Sequence, residues 1–159
     1  MSDLAAEIVA SLTARGQTAA AAESLTGGLL AAAITDVPGA SVVFRGCIVA
    51  YAIDVKADLL GVERAVLDAC GAVSGEVAGA MAEGARDRLG ATLGVATTGV
   101  AGPGPAEGKP AGTVYIAVSG APGTRVRRLA LTGSRDEVRR QTVTQALSLL
   151  LAGVREEPK

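Results

Sequence analysis

Ser24 stands in Ala22-Glu23-Ser24-Leu25-Thr26-Gly27-Gly28, where an apolar run gives way to a helix-like run, and a hydroxyl on such a turn can attack an electrophilic carbon. The 159-residue chain contains no histidine, so imidazole cannot activate that serine and a Ser-His-Asp triad is excluded. The base must be a lysine, a carboxylate, a tyrosine or the chain terminus. The same lack argues against a metal site: imidazole is the commonest side-chain ligand, and Cys47 and Cys70 alone are too few for structural zinc. Both cysteines sit among apolar neighbours and read as small buried hydrophobes rather than nucleophiles.

Lys56 lies five residues after Tyr51, just past a largely apolar strand-like segment. A lysine at a helix start is commonly a solvated surface group. To serve as a base near pH 7 it must be held neutral, which requires about 4 kcal/mol of differential stabilisation. An apolar surround and a helix N-terminus push that way, and Asp54 and Asp58 would oppose it if close. Tyr51 could pass a proton, orient the lysine or simply pack. Thr97-Thr98-Gly99 carries two hydroxyls from a buried strand into a loop stiffened by Pro103 and Pro105, with Thr98 projecting at the strand's carboxyl end.

Gly27 and Gly28 read as glycines inside a helix, which costs roughly 0.5–1 kcal/mol each relative to alanine. Close approach of a ligand to the backbone would explain them, and the helix start would offer N–H groups to an oxyanion or phosphate. Equally, Ser24 or Thr26 could do no more than cap that helix. Arg125, Arg127, Arg128, Arg135, Arg139 and Arg140 form the one basic cluster. It reads first as a solvated edge strand and helix face, second as a phosphate site completed by another subunit. Several familiar signatures fail: there is no Walker Lys-Ser/Thr, Glu107 stands where a dinucleotide fingerprint needs glycine, Ser24 lacks the flanking glycines of a nucleophile elbow, and no Ser-x-x-Lys occurs.

The elements that must position these residues alternate. Asp3 to Ala14 has helical apolar spacing, Thr18 to Ala22 reads as a buried strand, Thr26 to Thr35 as a helix, Ser41 to Tyr51 as a long strand and Asp54 to Leu60 as a short helix. The stretch to Val73 is undecided. Ser74 caps a long helix, and Thr92 to Thr98 is a buried strand. Gly112 to Ser119 and Thr124 to Leu131 form a hairpin around a four-residue loop, and a capping box at Ser134 to Glu137 opens a last helix to about Leu151. This order predicts an α/β, three-layer fold with a mixed, mostly parallel sheet between helices, as one domain over 1–159 with a polar tail at 155–159. Ligands would gather at the carboxyl ends of the strands.

Fifteen basic against sixteen acidic residues, with one Phe, two Tyr and no Trp, argue against nucleic acid as a partner. Mean hydropathy is +0.38, yet no apolar run approaches the ~20 residues of a membrane span. The acidic start does not read as a signal peptide, so a cytoplasmic location is expected.

Taken together, Ala22 to Gly28, Tyr51 with Lys56, and Thr98-Gly99-Val100-Ala101-Gly102-Pro103 followed by Lys109 to Tyr115 resemble the CinA C-terminal domain family, whose members include nicotinamide-nucleotide amidases. The resemblance spans about Leu4 to Leu151. It implies hydrolysis of nicotinamide mononucleotide to nicotinate mononucleotide and ammonia, with Ser24 as nucleophile, Lys56 as base, and Tyr51 and Thr98 as supporting hydroxyls. It further implies that Glu23, Thr26, Gly27, Gly28, Arg45, Gly46, Gly99 and Gly102 bind substrate, without cofactor, in a homo-oligomer. Two departures stand out: Ala52-Ile53 replaces the family's usual Ser-Asn, and the glycine-rich loop is shortened with Pro105 in place of glycine. They keep alive a non-catalytic nucleotide-binding module, and the rim leaves room for a serine amidase of another carboxamide.

Overall fold

The computed structural model describes residues 1–158. In chain order the elements are α1 (Ser2–Arg15), β1 (Ala19–Glu23), α2 (Leu29–Thr35), a 3-10 turn (Ala40–Val42), β2 (Phe44–Val49), α3 (Ile53–Leu60), α4 (Arg64–Cys70), α5 (Gly75–Arg88), β3 (Leu93–Gly99), β4 (Thr113–Gly120), β5 (Gly123–Ala130) and α6 (Arg135–Glu156). The strands form one sheet in the order β2-β1-β3-β4-β5. β1 runs parallel to both neighbours, β4 turns back on β3 and β5 on β4, so only β4 opposes the common direction. This is the three-layer α/β fold, mostly parallel, that the alternation of elements implies.

All five residues of β1 are buried, and their alternation divides them between two cores. Ala19 and Ala21 join the cluster built with Ile8, Leu12, Leu30 and Leu147 from α1, α2 and α6, while Ala20 and Ala22 join Val77, Met81 and Ala85 of α5. Alanine suits β1 because helices close in on both faces. On the α5 side the approach is tighter still: a methyl at Gly94 of β3 would strike the Ala82 carbonyl of α5. Because β1 lies between β2 and β3, the chain leaves it for one neighbour and later crosses back to the other. The carboxyl ends of these three strands therefore stand side by side, where a crevice opens.

Several boundaries differ from the sequence reading. α2 starts at Leu29, since Gly27 and Gly28 take left-handed φ values of 58° and 103°; they form a turn that glycine alone adopts cheaply and are not helix interior. β2 is shorter than 41–51 because the 3-10 turn takes its first residues. The hairpin loop holds two residues, not four, as Gly120 pairs with Gly123. The Ser134–Glu137 capping box is present in both arms. α6 continues to Glu156, and Glu157, 5% exposed, accepts from the Ala121 N–H at 3.0 Å. Of the polar tail expected at 155–159, only Pro158 is thus exposed and non-helical, and Lys159 lies outside the described residues. No helix among the described residues is long and apolar enough to cross a membrane.

Gly84 in α5 sets two magnitudes against each other. Helix propensity would reward alanine by about 1 kcal/mol. A methyl there would, however, collide with the Leu60 carbonyl, a backbone atom that cannot swing aside, and overpacking costs about 1–3 kcal/mol or more. Urea denaturation should show Gly84→Ala less stable than the parent by at least ~1 kcal/mol, and Gly104→Ala, at a glycine with open space around it, within ~0.5 kcal/mol. Coincident midpoints for the two variants would contradict this packing.

Candidate active site

Ser24 is the first residue beyond β1, and the ladders run on to fix it: its N–H donates to the Thr97 carbonyl at 3.0 Å, and Ala50 N–H donates to the Glu23 carbonyl at 2.9 Å. The turn that follows is held from α6, where Arg139 donates from Nε to the Leu25 carbonyl at 2.9 Å and from a terminal nitrogen to the Thr26 carbonyl at 3.1 Å. Thr26 and Thr97 share a hydroxyl hydrogen bond of 2.7 Å beneath it. Glu23 is fully buried, and its carboxylate accepts the N–H groups of Gly28 (3.0 Å), Leu30 (3.1 Å) and Ala31 (2.8 Å). It therefore occupies the positive end of α2. The Cys47 thiol donates to the same carboxylate at 3.4 Å, and burial, then that anion, raise its pKa far above the ordinary thiol range, so it stays protonated and unreactive.

Lys56 sits on the buried side of α3 and is only 1% exposed. Its Nζ lies 3.0 Å from Ser24 Oγ, 2.7 Å from the Ala50 carbonyl and 3.3 Å from the Tyr51 carbonyl. Three oxygens thus surround the nitrogen, and a neutral amine, with two N–H donors and one lone pair, can donate to both carbonyls and accept from the serine hydroxyl. Burial lowers the lysine pKa below its ordinary 10.5, and the negative charge of Glu107 partly offsets this. Ser24, 8% exposed, opens onto a cavity of about 270 Å³ at the carboxyl ends of β1, β2 and β3.

Of the residues singled out in the sequence, Ser24, Tyr51, Lys56, Thr98, Gly99 and Gly102 line this cavity. Thr98 Oγ1 donates to the Ala72 carbonyl at 2.8 Å, tying the end of β3 to the opposite wall. The Tyr51 hydroxyl is not beside the amine; the residue is 62% exposed at the rim and its hydroxyl accepts from Arg135 at 3.1 Å, so the backbone carbonyl, not the phenol, meets Lys56. Glu23 and Thr26 are wholly buried and do not line the cavity, and Gly27 and Gly28 form the turn. Arg45 and Gly46 do not line this cavity. They lie near the amino end of β2, where Arg45 donates to the Leu89 carbonyl at the far end of α5, away from the strand ends that carry Ser24.

The arginine cluster divides. Arg135 reaches the cavity and donates to the Gly102 carbonyl at 2.8 Å, and Arg139 supports the serine turn, whereas Arg140 pairs with Asp136 and Arg125 with Glu156. Glu107 lines the cavity too and was passed over in the sequence. Its signal was there to be found: it is the one acidic residue in a Gly, Ala and Pro-rich loop between Gly99 and Pro110.

Residues 1–154 match the CinA C-terminal domain. The chain belongs to the CinA C-terminal domain family. A CinA-like protein of Frankia casuarinae is 56% identical over 146 residues, which is 90% of this chain and 34% of that protein. One from Anaeromyxobacter dehalogenans is 50% identical over 149 residues, 93% of this chain and 36% of its own length. The chain thus spans about a third of these curated relatives. Among solved structures, the competence/damage inducible protein CihA from Agrobacterium tumefaciens superposes with a TM-score of 0.93 at 39% identity, covering 98% of this chain and 95% of that one. The competence damage-inducible protein A from Klebsiella pneumoniae gives 0.94 at 32%, covering 98% and 97%.

Against this family, Ala52 takes on a definite meaning, because it is the N-cap of α3, in extended conformation and with no side chain to cap the helix that carries Lys56. Ala52→Ser is expected to stabilise the protein by about 0.5–1 kcal/mol in urea denaturation; an unchanged midpoint would show that the α3 start is satisfied by other means. The lysine makes its own prediction. The unfolded amine keeps its proton up to about 10.5 and the folded one releases it sooner, so between those two values the unfolded state binds more protons. The stability of the native protein measured against Lys56→Met should therefore climb with pH across that window and level off above it. A difference independent of pH would mean that the amine is not desolvated.

Proposed function

We propose that the protein is an amidohydrolase that converts nicotinamide mononucleotide to nicotinate mononucleotide and ammonia. The observation that carries this reading is the 3.0 Å approach of a buried lysine amine, its pKa lowered by desolvation, to a serine hydroxyl that opens on a cavity.

Neutral Lys56 takes the Ser24 proton as Oγ attacks the carboxamide carbon. The negative charge that develops on the carboxamide oxygen is met by the Leu25 N–H, which lies at the cavity and donates to no acceptor among the described residues. The tetrahedral adduct collapses as the C–N bond breaks, and the Lys56 ammonium returns its proton to the departing ammonia. Water then attacks the ester, again giving its proton to Lys56, and the carboxylic acid and free Ser24 are released. The quaternised ring nitrogen of the mononucleotide withdraws electrons from the carboxamide, which favours it over free nicotinamide. Arg135, the guanidinium on the cavity lining, is assigned to the phosphate.

The rival is a nucleotide-binding module without chemistry, which Ala52 and the exposed Ile53 at the rim favour, since the polar pair usual in the family is missing there. An ammonia-release assay separates the readings. The parent should turn over the mononucleotide faster than nicotinamide or the dinucleotide, with kcat/KM rising with pH along a limb centred below 10.5, and Ser24→Ala should lose more than roughly 10²-fold. Equal rates for parent and Ser24→Ala would remove the nucleophile, and calorimetric binding of the mononucleotide without product would favour the module.

A further inference from the structure

The wall of the cavity between α4 and α5, residues 71–74, has its backbone groups engaged by the strand and loop opposite. Thr98 Oγ1 donates to the Ala72 carbonyl and Lys109 Nζ to the Val73 carbonyl, while the Glu107 carboxylate accepts the N–H groups of Ala72 and Val73, each at 3.0 Å. Gly71 makes room for that carboxylate, since a methyl there would stand 2.6 Å from Glu107 Oε2. To deliver it, Glu107 adopts a φ of 50° within the tight turn closed by Ala106 and Lys109, a left-handed conformation that residues other than glycine rarely adopt. A surface loop has no need to hold glutamate there unless its side chain is wanted at this place.

Other ionisable groups near the lysine face elsewhere. Glu23 on β1 is turned to α2, the Tyr51 hydroxyl to Arg135, and Asp54 and Asp58 on α3 are exposed, the latter paired with Arg64. Lys109 lies 4.0 Å from the Glu107 carboxylate and Arg135 is on the cavity lining. Glu107 lines the same cavity as Lys56, and its negative charge works against the lowering of the lysine pKa by burial.

Resting on the Ser24–Lys56 reading above, we propose that Glu107 is a positioning residue for that pair. Seated over Gly71, its carboxylate holds the cavity wall and supplies the negative charge that steadies the Lys56 ammonium formed when Ser24 gives up its proton. Glu107 itself exchanges no proton. It acts through the lysine, making it the stronger base, and so sets both where the rate rises with pH and how high the plateau stands.

The chain has three lysines, at 56, 109 and 159, so NMR of protein labelled with ¹³Cε-lysine can follow the Lys56 titration without any substrate. In Glu107→Gln and in Gly71→Ala, whose methyl evicts the carboxylate, the Lys56 midpoint should fall below that of the parent. The kcat/KM limb should move to lower pH with it, kcat at the plateau falling about tenfold and KM changing less than about twofold. Glu107→Asp, which keeps the charge, should titrate nearer to the parent than to Glu107→Gln, and it serves the test if either other variant folds poorly. A group that only tethers the loop would speed hydrogen exchange at Ala72 and Val73 and leave the lysine unmoved. A Lys56 midpoint shared by parent and Glu107→Gln, or by Glu107→Asp and Glu107→Gln, overturns the inference. Should the parent release no ammonia, the titration still decides it, and only the amidase reading falls.

Discussion

A lysine amine stripped of water is the constraint around which this structure is organised. Burying the charged form would be costly, and the fold offers it no buried carboxylate partner, only carbonyls of Ala50 and Tyr51 and the hydroxyl of Ser24. That environment tolerates an amine better than an ammonium. The consequence reaches well beyond one side chain, because the cage is assembled from three pieces distant in sequence: the end of β1, the residues after β2 and the first turns of α3. A sheet in which β1 separates β2 from β3 brings these pieces to one edge, and the small residues of β1 and β3 let α5 press close enough to keep water out.

The helix N-terminus beside the serine might have been expected to supply the site's electrostatics. It does not, because Glu23 takes three of its N–H groups from within the core. That carboxylate spends the positive end of α2 on stability and so fixes the turn after Ser24, whose hydroxyl meets the Lys56 amine instead. Charge at the cavity comes instead from side chains on its far walls, Glu107 in the loop and Arg135 at the start of α6. The division is physically sensible: a rigid floor holds Ser24 and Lys56, and the charges on the walls are more exposed and softer in geometry.

The sequence disclosed the sheet class well, since alanine strands and capped helices alternate with little ambiguity, and the Ser134 capping box could be placed to the residue. The absence of histidine narrowed the choice of base, and the resemblance supplied the pairing of Ser24 with Lys56; no spacing rule would have put residues 32 apart within 3.0 Å. Glu23, Thr26, Gly27 and Gly28 border Ser24 in sequence without lining the cavity: Glu23 and Thr26 are fully buried, and Gly27 and Gly28 form the left-handed turn that follows. Arg45 and Gly46 lie off the cavity for the converse reason, as a strand of six residues carries its two ends some 20 Å apart. Glu107 escaped notice because its role depends on a contact with Ala72 and Val73 that only the folded chain creates.

The loop from Gly99 to Pro110 joins these themes. Val100 and Ala101 bury its first residues, but from Gly102 onward its glycine, alanine and proline side chains contribute little apolar burial, so the order of that part comes from polar fastenings. Arg135 grips it at Gly102 on one side of the cavity, and Glu107 and Lys109 grip the 71–74 wall on the other. A roof held by a few ionic and hydrogen-bonded points can be released without disturbing either hydrophobic core, because neither core contributes to holding its tip. The floor, by contrast, cannot move without exposing the lysine. Access to the cavity and burial of the Lys56 amine thereby rest on different parts of the molecule, the loop above and the strand ends below.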